Sequence, residues 1–258
     1  MTTPQPTPVN TNGRSDFRKH LPKGFVLPVD PVGQRLLKDY GALFVAKGVA
    51  VPMTVIFEDE EAVAAFQQKA GSERVMIGGN SVELQSPALH ALKEAIEDAA
   101  KIGLNIAPRS SDSSKRNYKH TVDLWASRVN PGLSHWVAVG RIKATDAARI
   151  KALSPFEQVP EILALEEKGI WFSKDLSKSI VYSVAPPGTS QHISMLALDV
   201  AQFDDARVRT VLARHGWFQT VTSDLPHFTY LGVKENELEK LGLKKVIYAG
   251  RDFWVPDI

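Results

Sequence analysis

The chain has 258 residues, of which 43% are hydrophobic and 23% charged, a composition typical of a globular domain with a sizeable core. Its 31 basic and 29 acidic residues leave a formal net charge of +2, so bulk charge indicates neither nucleic-acid nor membrane binding, and no apolar run predicts a membrane span. Because there is no cysteine, disulfides and thiolate metal sites are excluded, and any metal must bind to His and carboxylate side chains.

Residues 1–24 are predicted to form a flexible tail, since the segment up to Gly13 is rich in Thr, Pro and Asn and lacks the apolar core of a signal peptide. One hypothesis is that an export signal was removed upstream of Met1. The protein is then periplasmic or secreted, and it is cytoplasmic if Met1 is the native start. Residues 25–258 are predicted to form a single domain with an N-terminal extension and an insertion around 133–178. The pattern indicates no oligomeric state.

In the first half of the chain, hydrophobic spacing and turn residues predict helices, a hairpin and short strands. The clearest helix covers residues 86–102, with Ser86 as a good N-cap and Gly103 as the left-handed cap at its end. The other predicted elements are a helix in 32–46, a strand at 54–57, a helix at 58–70, a hairpin of 74–77 with 81–84, a strand at 104–107 and a helix within 110–127.

In the second half, residues 133–160 show the weakest pattern, and 159–168 is predicted to be helical. The remaining elements alternate between strand and helix. They are strands at 179–184, 195–200, 217–222, 228–231 and 245–248, with helices at 204–215 and 234–241. Mixed elements of this kind predict an α+β domain with a small antiparallel sheet flanked by helices.

One set of residues points to metal chemistry. His192 and Asp199 lie seven residues apart, so a bend must bring them together, and His227 follows between two predicted strands. Two His and one Asp give zinc three ligands and leave a fourth position open, as a catalytic site requires, and bound zinc lowers the pKa of water to about 7. Asp224, three residues before His227, stands where a general base for that water is needed. Taken singly, each His is more often a surface or hydrogen-bonded residue, and Asp224 suits a turn equally well.

Two segments together resemble a known family. Ser190-x-His192-x6-Asp199, followed by Asp224-x-x-His227-Phe228-x-Tyr230-x-Gly232, is similar to the zinc D,D-carboxypeptidases and dipeptidases of bacterial cell walls. The Pro186–Thr189 loop and the Arg109-Ser110 pair also resemble this family. The resemblance covers roughly residues 84–130 and 180–232, and it implies a hedgehog/DD-peptidase-like fold.

The resemblance also implies roles for individual residues. His192, Asp199 and His227 would bind Zn²⁺, Asp224 would be the general base, and Arg109 would stabilise the oxyanion. Ser190 would lie close to the substrate. Otherwise Arg109 is a surface ion-pairing residue and Ser190 a loop-capping hydroxyl. A tetrahedral intermediate carries negative charge on oxygen, which a cation and a metal stabilise.

Three positions depart from the family pattern. Asp224 replaces Glu, which shortens the reach by roughly 1.5 Å, and misplacement on that scale can reduce a rate by about 10²-fold. Met195 stands where the family usually has Gly, and Pro226 where an aromatic residue precedes the last His. None of these changes removes a ligand.

Three functions follow as expectations. The leading one is a zinc metallopeptidase acting on peptidoglycan stem peptides as a D-alanyl-D-alanine carboxypeptidase. The second is a non-catalytic, metal-stabilised cell-wall binding module, and the third is an endopeptidase of endolysin type that cuts cross-links.

Overall fold

The computed structural model describes residues 7–8 and 16–258, and the rest of the predicted tail 1–24 lies outside the described residues. The described part of this tail includes strand β1 (Thr7–Pro8), which pairs antiparallel with β7 (Leu243–Tyr248) near the other end of the chain. A 3₁₀ turn follows at Phe17–His20, and Phe17 is fully buried. The packed part of the domain therefore includes residues on the N-terminal side of residue 25.

Helices cover most of the central part of the chain. They are α1 (Pro31–Tyr40), α2 (Glu60–Ala70), α3 (Ser86–Lys101), α4 (Tyr118–Ala138), α5 (Ala144–Ala152), α6 (Pro155–Glu166) and α7 (Ala206–Arg214). Further 3₁₀ turns lie at Gly41–Val45, Ile180–Tyr182, Gln191–Ser194, Glu235–Glu237 and Glu239–Leu241. Among the helices of residues 16–258, none has both the length and the apolar character that crossing a membrane requires.

The strands form three small antiparallel sheets within the described residues, where the sequence predicted a single one. The remaining strands are β2 (Glu73–Ile77), β3 (Asn80–Leu84), β4 (Ala197–Asp199), β5 (Trp217–Phe218), β6 (His227–Tyr230) and β8 (Arg251–Pro256). The sheets run β1-β7-β8, β2-β3 and β4-β6-β5. The α+β class is confirmed.

Local sequence explains most helix ends. Asp30 and Asp59 cap α1 and α2 by accepting backbone N–H bonds of 2.8 Å from Gly33 and Ala62. The prediction of Ser86 as the N-cap of α3 is wrong, because Ser86 is the first residue of the helix and Gln85 is its N-cap. The Gln85 amide instead bonds both backbone groups of Ala50. The Gln85 side chain therefore links the start of α3 to the loop around Ala50 and makes no capping hydrogen bond to the helix.

Several predicted elements are wrong. Segments 54–57 and 104–107 are irregular rather than strands, and 179–184 contains a 3₁₀ turn. Their apolar residues pack into the core without pairing to a neighbouring strand, so local residue preference alone overstated the strand content. The helix expected at 234–241 is split into two 3₁₀ turns, and β8 is an additional strand.

The predicted insertion, residues 133–178, is mostly helical. Its first six residues are the end of α4, and α5 packs on that helix. A Cβ at Gly132 would collide with the Phe172 ring, so this glycine allows close contact between α4 and the segment after α6. The buried Glu166 carboxylate ends α6 and accepts backbone N–H bonds from Ile180 at 2.6 Å and Phe172 at 3.3 Å. It also accepts the Ser179 hydroxyl. One carboxylate therefore ties the insertion to the loop that leads to residue 190.

We expect Glu166→Ala to reduce the free energy of unfolding by about 2–4 kcal/mol, because two buried N–H groups lose their acceptor. Urea denaturation measures the change. Glu167→Ala is the control, because Glu167 is exposed beside it, and it should stay within about 0.5 kcal/mol of the parent. Equal stability of the two variants would contradict this role of Glu166.

Candidate metal centre

Strand pairing brings two of the three candidate ligands together. In the antiparallel β4–β6 pair, Asp199 lies directly opposite His227, and Leu198 lies opposite Phe228. The Asp199 Oδ1 and His227 Nδ1 atoms are 3.3 Å apart. The register of two short strands therefore places a carboxylate and an imidazole side by side.

A bend brings the third ligand to the same place, as the seven-residue spacing required. His192 lies in the 3₁₀ turn Gln191–Ser194, and the chain then reverses at Met195, whose φ is +58°. Upstream, Gly188 (φ +74°) lets the loop approach Phe57, because a Cβ there would collide with the Phe57 carbonyl oxygen. His192 Nε2 consequently lies 3.3 Å from Asp199 Oδ1.

Hydrogen bonding sets the tautomer of His192. Its Nδ1 lies 2.7 Å from the carbonyl oxygen of Ser114 and donates to it. In a neutral imidazole the other nitrogen, Nε2, then carries a lone pair. That atom is buried and has no hydrogen-bond partner in the described residues. Burial lowers the pKa of His192 to about 4, so the ring is neutral at pH 7.

The tautomer of His227 follows from Gln191. The Gln191 Nε2 donates to the carbonyl oxygen of Tyr40 at 2.8 Å, so its Oε1 faces His227 Nε2 at 2.9 Å and accepts its proton. The hydroxyl of Thr229, two residues along the same face of β6, also donates to Gln191 Oε1. In a neutral His227 ring the lone pair would then lie on Nδ1, facing Asp199.

Three acceptor atoms thus converge on one spot. His192, Asp199 and His227 offer ligand atoms that all lie within 4.8 Å of one another. Two lone pairs facing a carboxylate repel one another unless a cation lies between them. His192, Asp199 and His227 together could therefore hold a metal ion.

The segment 107–116, which leads into α4, contacts Asp199 through backbone hydrogen bonds and one ion pair. The Asp199 N–H donates to the carbonyl oxygen of Ser113, and the Arg109 N–H donates to that of Asp199, both at 2.9 Å. Arg116 Nη2 lies 3.2 Å from Asp199 Oδ2, and only 16% of its side chain is exposed. The guanidinium therefore holds the outer oxygen of the carboxylate while Oδ1 faces the two imidazoles.

The predicted catalytic residues lie close by. Asp224 is on the turn before β6 and is open to solvent on one side. Desolvation by the surrounding protein raises the pKa of its carboxyl, and the Asp199 charge adds to this, while His227, Arg116 and Arg109 lower it.

The other two predicted residues differ in exposure. Arg109 is exposed, and its guanidinium makes no hydrogen bond or ion pair with any described residue. Ser190 is buried directly before the turn that carries His192. The roles assigned to Ser190, Arg109 and Asp224 stay predictions.

Sequence reasoning missed the residues that orient the ligands. Gln191 is adjacent to His192 in the chain, and a glutamine beside a ligand is the one signal that could have suggested it. Arg116 and the carbonyl group of Ser114 reach the site only through folding of the 107–116 segment, and no spacing in the sequence indicates this.

No protein-family model matches the chain. A search of the curated proteins also returns no match.

We expect the protein to bind one divalent ion, such as Zn²⁺ or Co²⁺, and to lose stability when a chelator removes it. Free metal at about 1,000 times Kd adds about 4 kcal/mol to the folded state. Thermal unfolding with metal and with EDTA measures the difference. His192→Ala should abolish it, whereas His90→Ala should not, since His90 is 63% exposed and pairs with Glu73. A His192→Ala protein with unchanged metal affinity would remove His192 from the ligand set.

Gln191→Leu should weaken metal binding by about 10- to 100-fold, because the residue that fixes the His227 tautomer is lost. Competition with a fluorescent chelator gives the affinity. Gln34→Leu, on the surface of α1, is the control and should keep the parent value. If both variants bind equally well, the orientation of His227 does not depend on Gln191.

Proposed function

We propose that this protein is a zinc-dependent peptidase of hedgehog/DD-peptidase-like fold that hydrolyses peptidoglycan stem peptides, with D-alanyl-D-alanine carboxypeptidase as its leading activity. The observation that carries the proposal is the convergence of three lone pairs at a largely buried point. The motif resemblance of residues 190–199 and 224–232 supports the substrate class. On this proposal the protein works in the periplasm or outside the cell.

Two of the three spacings between the acceptor atoms suit zinc. Tetrahedral ligands about 2.0–2.1 Å from zinc lie roughly 3.3–3.4 Å from one another. The two distances from Asp199 Oδ1, to His192 Nε2 and to His227 Nδ1, are both 3.3 Å. His192, Asp199 and His227 would hold the ion, which would supply Lewis acidity and lower the pKa of a water molecule. Three protein ligands leave the fourth position of a tetrahedral site for substrate or water.

The exposed residues beside the site supply the remaining chemistry. Asp199 keeps 13% of its side chain accessible, and Asp224 and Arg109 beside it in the chain fold are exposed. The Asp224 carboxylate would take a proton from the attacking water and pass it to the leaving amine nitrogen. The Arg109 guanidinium, free of other ion pairs among the described residues, would stabilise negative charge on the scissile carbonyl oxygen.

The test is digestion of defined muropeptides followed by mass spectrometry. We expect loss of one terminal D-alanine from a pentapeptide stem, abolished by a chelator and restored by zinc. Cleavage confined to cross-linked dimers would instead identify an endopeptidase. A zinc-loaded protein that releases nothing from either substrate would reject the peptidase and leave the metal-stabilised binding module.

Asp224→Ala should keep its zinc and lose about 10²- to 10⁴-fold in kcat, the usual contribution of a general base. Asp224→Glu should remain within about tenfold of the parent, because the longer side chain keeps the carboxylate in reach. Asp123→Ala, on the exposed face of α4, is the control and should not change the rate. The base assignment fails if Asp224→Ala is as fast as the parent.

A further inference from the structure

A second concave region lies apart from the metal centre. This groove has a volume of about 1260 Å³ and lies between α7 and the β7–β8 hairpin, with Trp217 and Phe228 among its lining residues. Phe228 follows His227 on β6, and consecutive residues of a strand face opposite sides. Phe228 and His227 therefore point to opposite faces of β6, while the groove also takes in both Trp217 and Phe218 of the neighbouring edge strand β5.

The groove contains an unusual concentration of unpaired polar atoms. Five buried side-chain atoms of the described residues have no hydrogen-bond partner, and three belong to groove-lining residues: Trp217 Nε1, Gln219 Oε1 and Arg251 Nη1. Trp217 is fully buried, and Gln219 is 4% exposed. Buried polar groups are nearly always paired, so three unpaired atoms among the residues of one groove are unusual.

Two guanidinium groups of the groove lie near each other and are only partly engaged. Arg209 Nη1 donates to the carbonyl oxygens of Phe203 and Asp204, both at 2.9 Å, while Arg251 Nη2 pairs with the Asp204 carboxylate. Burial lowers the pKa of Arg209, and the neighbouring charge of Arg251 adds to this. The 203–204 turn therefore holds two cations close together and leaves Arg251 Nη1 unpaired.

The charges around the groove favour an anion. Lys245 is paired with Glu235 at 2.9 Å and with Asp252 at 3.1 Å, so these three side chains largely compensate one another. The charged residues that remain in the lining are the cations Arg209, Arg214, Lys234 and Arg251 and the single acid Glu239. The groove thus keeps a modest excess of positive charge, although Asp204 pairs with Arg251 and the whole chain is close to neutral.

We propose that this groove is a second binding site, for a ligand whose carboxylate or phosphate group is held between Arg209 and Arg251. Guanidinium groups bind planar and tetrahedral oxyanions through paired N–H donors. The site rests on the groove residues alone and is independent of peptidase activity.

The test is an NMR titration that follows the indole N–H signal of Trp217, assigned by its loss in Trp217→Phe. The probes are D-glucuronate against D-glucose, and inorganic phosphate against chloride at equal ionic strength. We expect a saturable shift of the Trp217 signal with glucuronate, phosphate or both, and none with glucose or chloride. A response to one anion alone identifies a carboxylate or a phosphate ligand.

Arg209→Gln and Arg251→Gln should each weaken the binding of the active probe by about tenfold or more, because a charge-assisted hydrogen bond is lost. Arg207→Gln is the matched control: Arg207 lies on the same helix, pairs with Asp205 and is 70% exposed, and its loss should change the affinity less than twofold. If Arg251→Gln does not fold, Arg209→Gln decides. The proposal is overturned if neither anion gives a saturable shift, or if Arg209→Gln and Arg207→Gln bind equally well.

Discussion

Three hydrogen-bond acceptors, His192 Nε2, Asp199 Oδ1 and His227 Nδ1, face one another in a region where the two imidazoles are almost inaccessible to water. Their mutual repulsion is the constraint around which the neighbouring structure is arranged. Each ring is fixed by a hydrogen bond on its far nitrogen, to a Ser114 carbonyl or to Gln191 Oε1, and Arg116 holds the second oxygen of the carboxylate. The surrounding residues thus keep the acceptor atoms exposed to a cation and prevent the rings from turning away.

The register of β4 and β6 carries this arrangement. A shift of one residue would turn His227 out of the site and bring Phe228 into it, because side chains alternate between the faces of a strand. Leu198 and Phe228 are directly paired and almost fully buried, so a slipped register would expose both. Burial of this apolar pair therefore stabilises the register that the polar site needs. The same alternation points His227 and Phe228 to opposite faces of β6.

The sequence predicted the α+β class, the hairpin of β2 and β3 and the three metal-binding candidates, because each depends on local spacing or on a short motif. It failed where tertiary contacts decide. Residues 54–57 and 179–184 are rich in residues that favour strands, but they find no strand partner and pack as irregular or 3₁₀ segments. Arg116 and Gln191 carry no local signal of their function, since their partners lie 83 and 36 residues away in the chain. The groove was equally invisible, because its lining comes from α7, β5, β6 and the β7–β8 hairpin.

Met195 shows how a departure in sequence can leave a site intact. It stands where the resembling family usually has Gly, and its φ of +58° is in the left-handed region that glycine adopts without strain. That conformation costs another residue about 1–2 kcal/mol. The Met195 side chain is fully buried, and burial of a side chain of this size contributes about 1.5–3 kcal/mol. Packing can therefore offset the strain and preserve the bend that turns the chain from His192 toward Asp199. The change from glycine bears on the core beneath the site rather than on the position of the ligands.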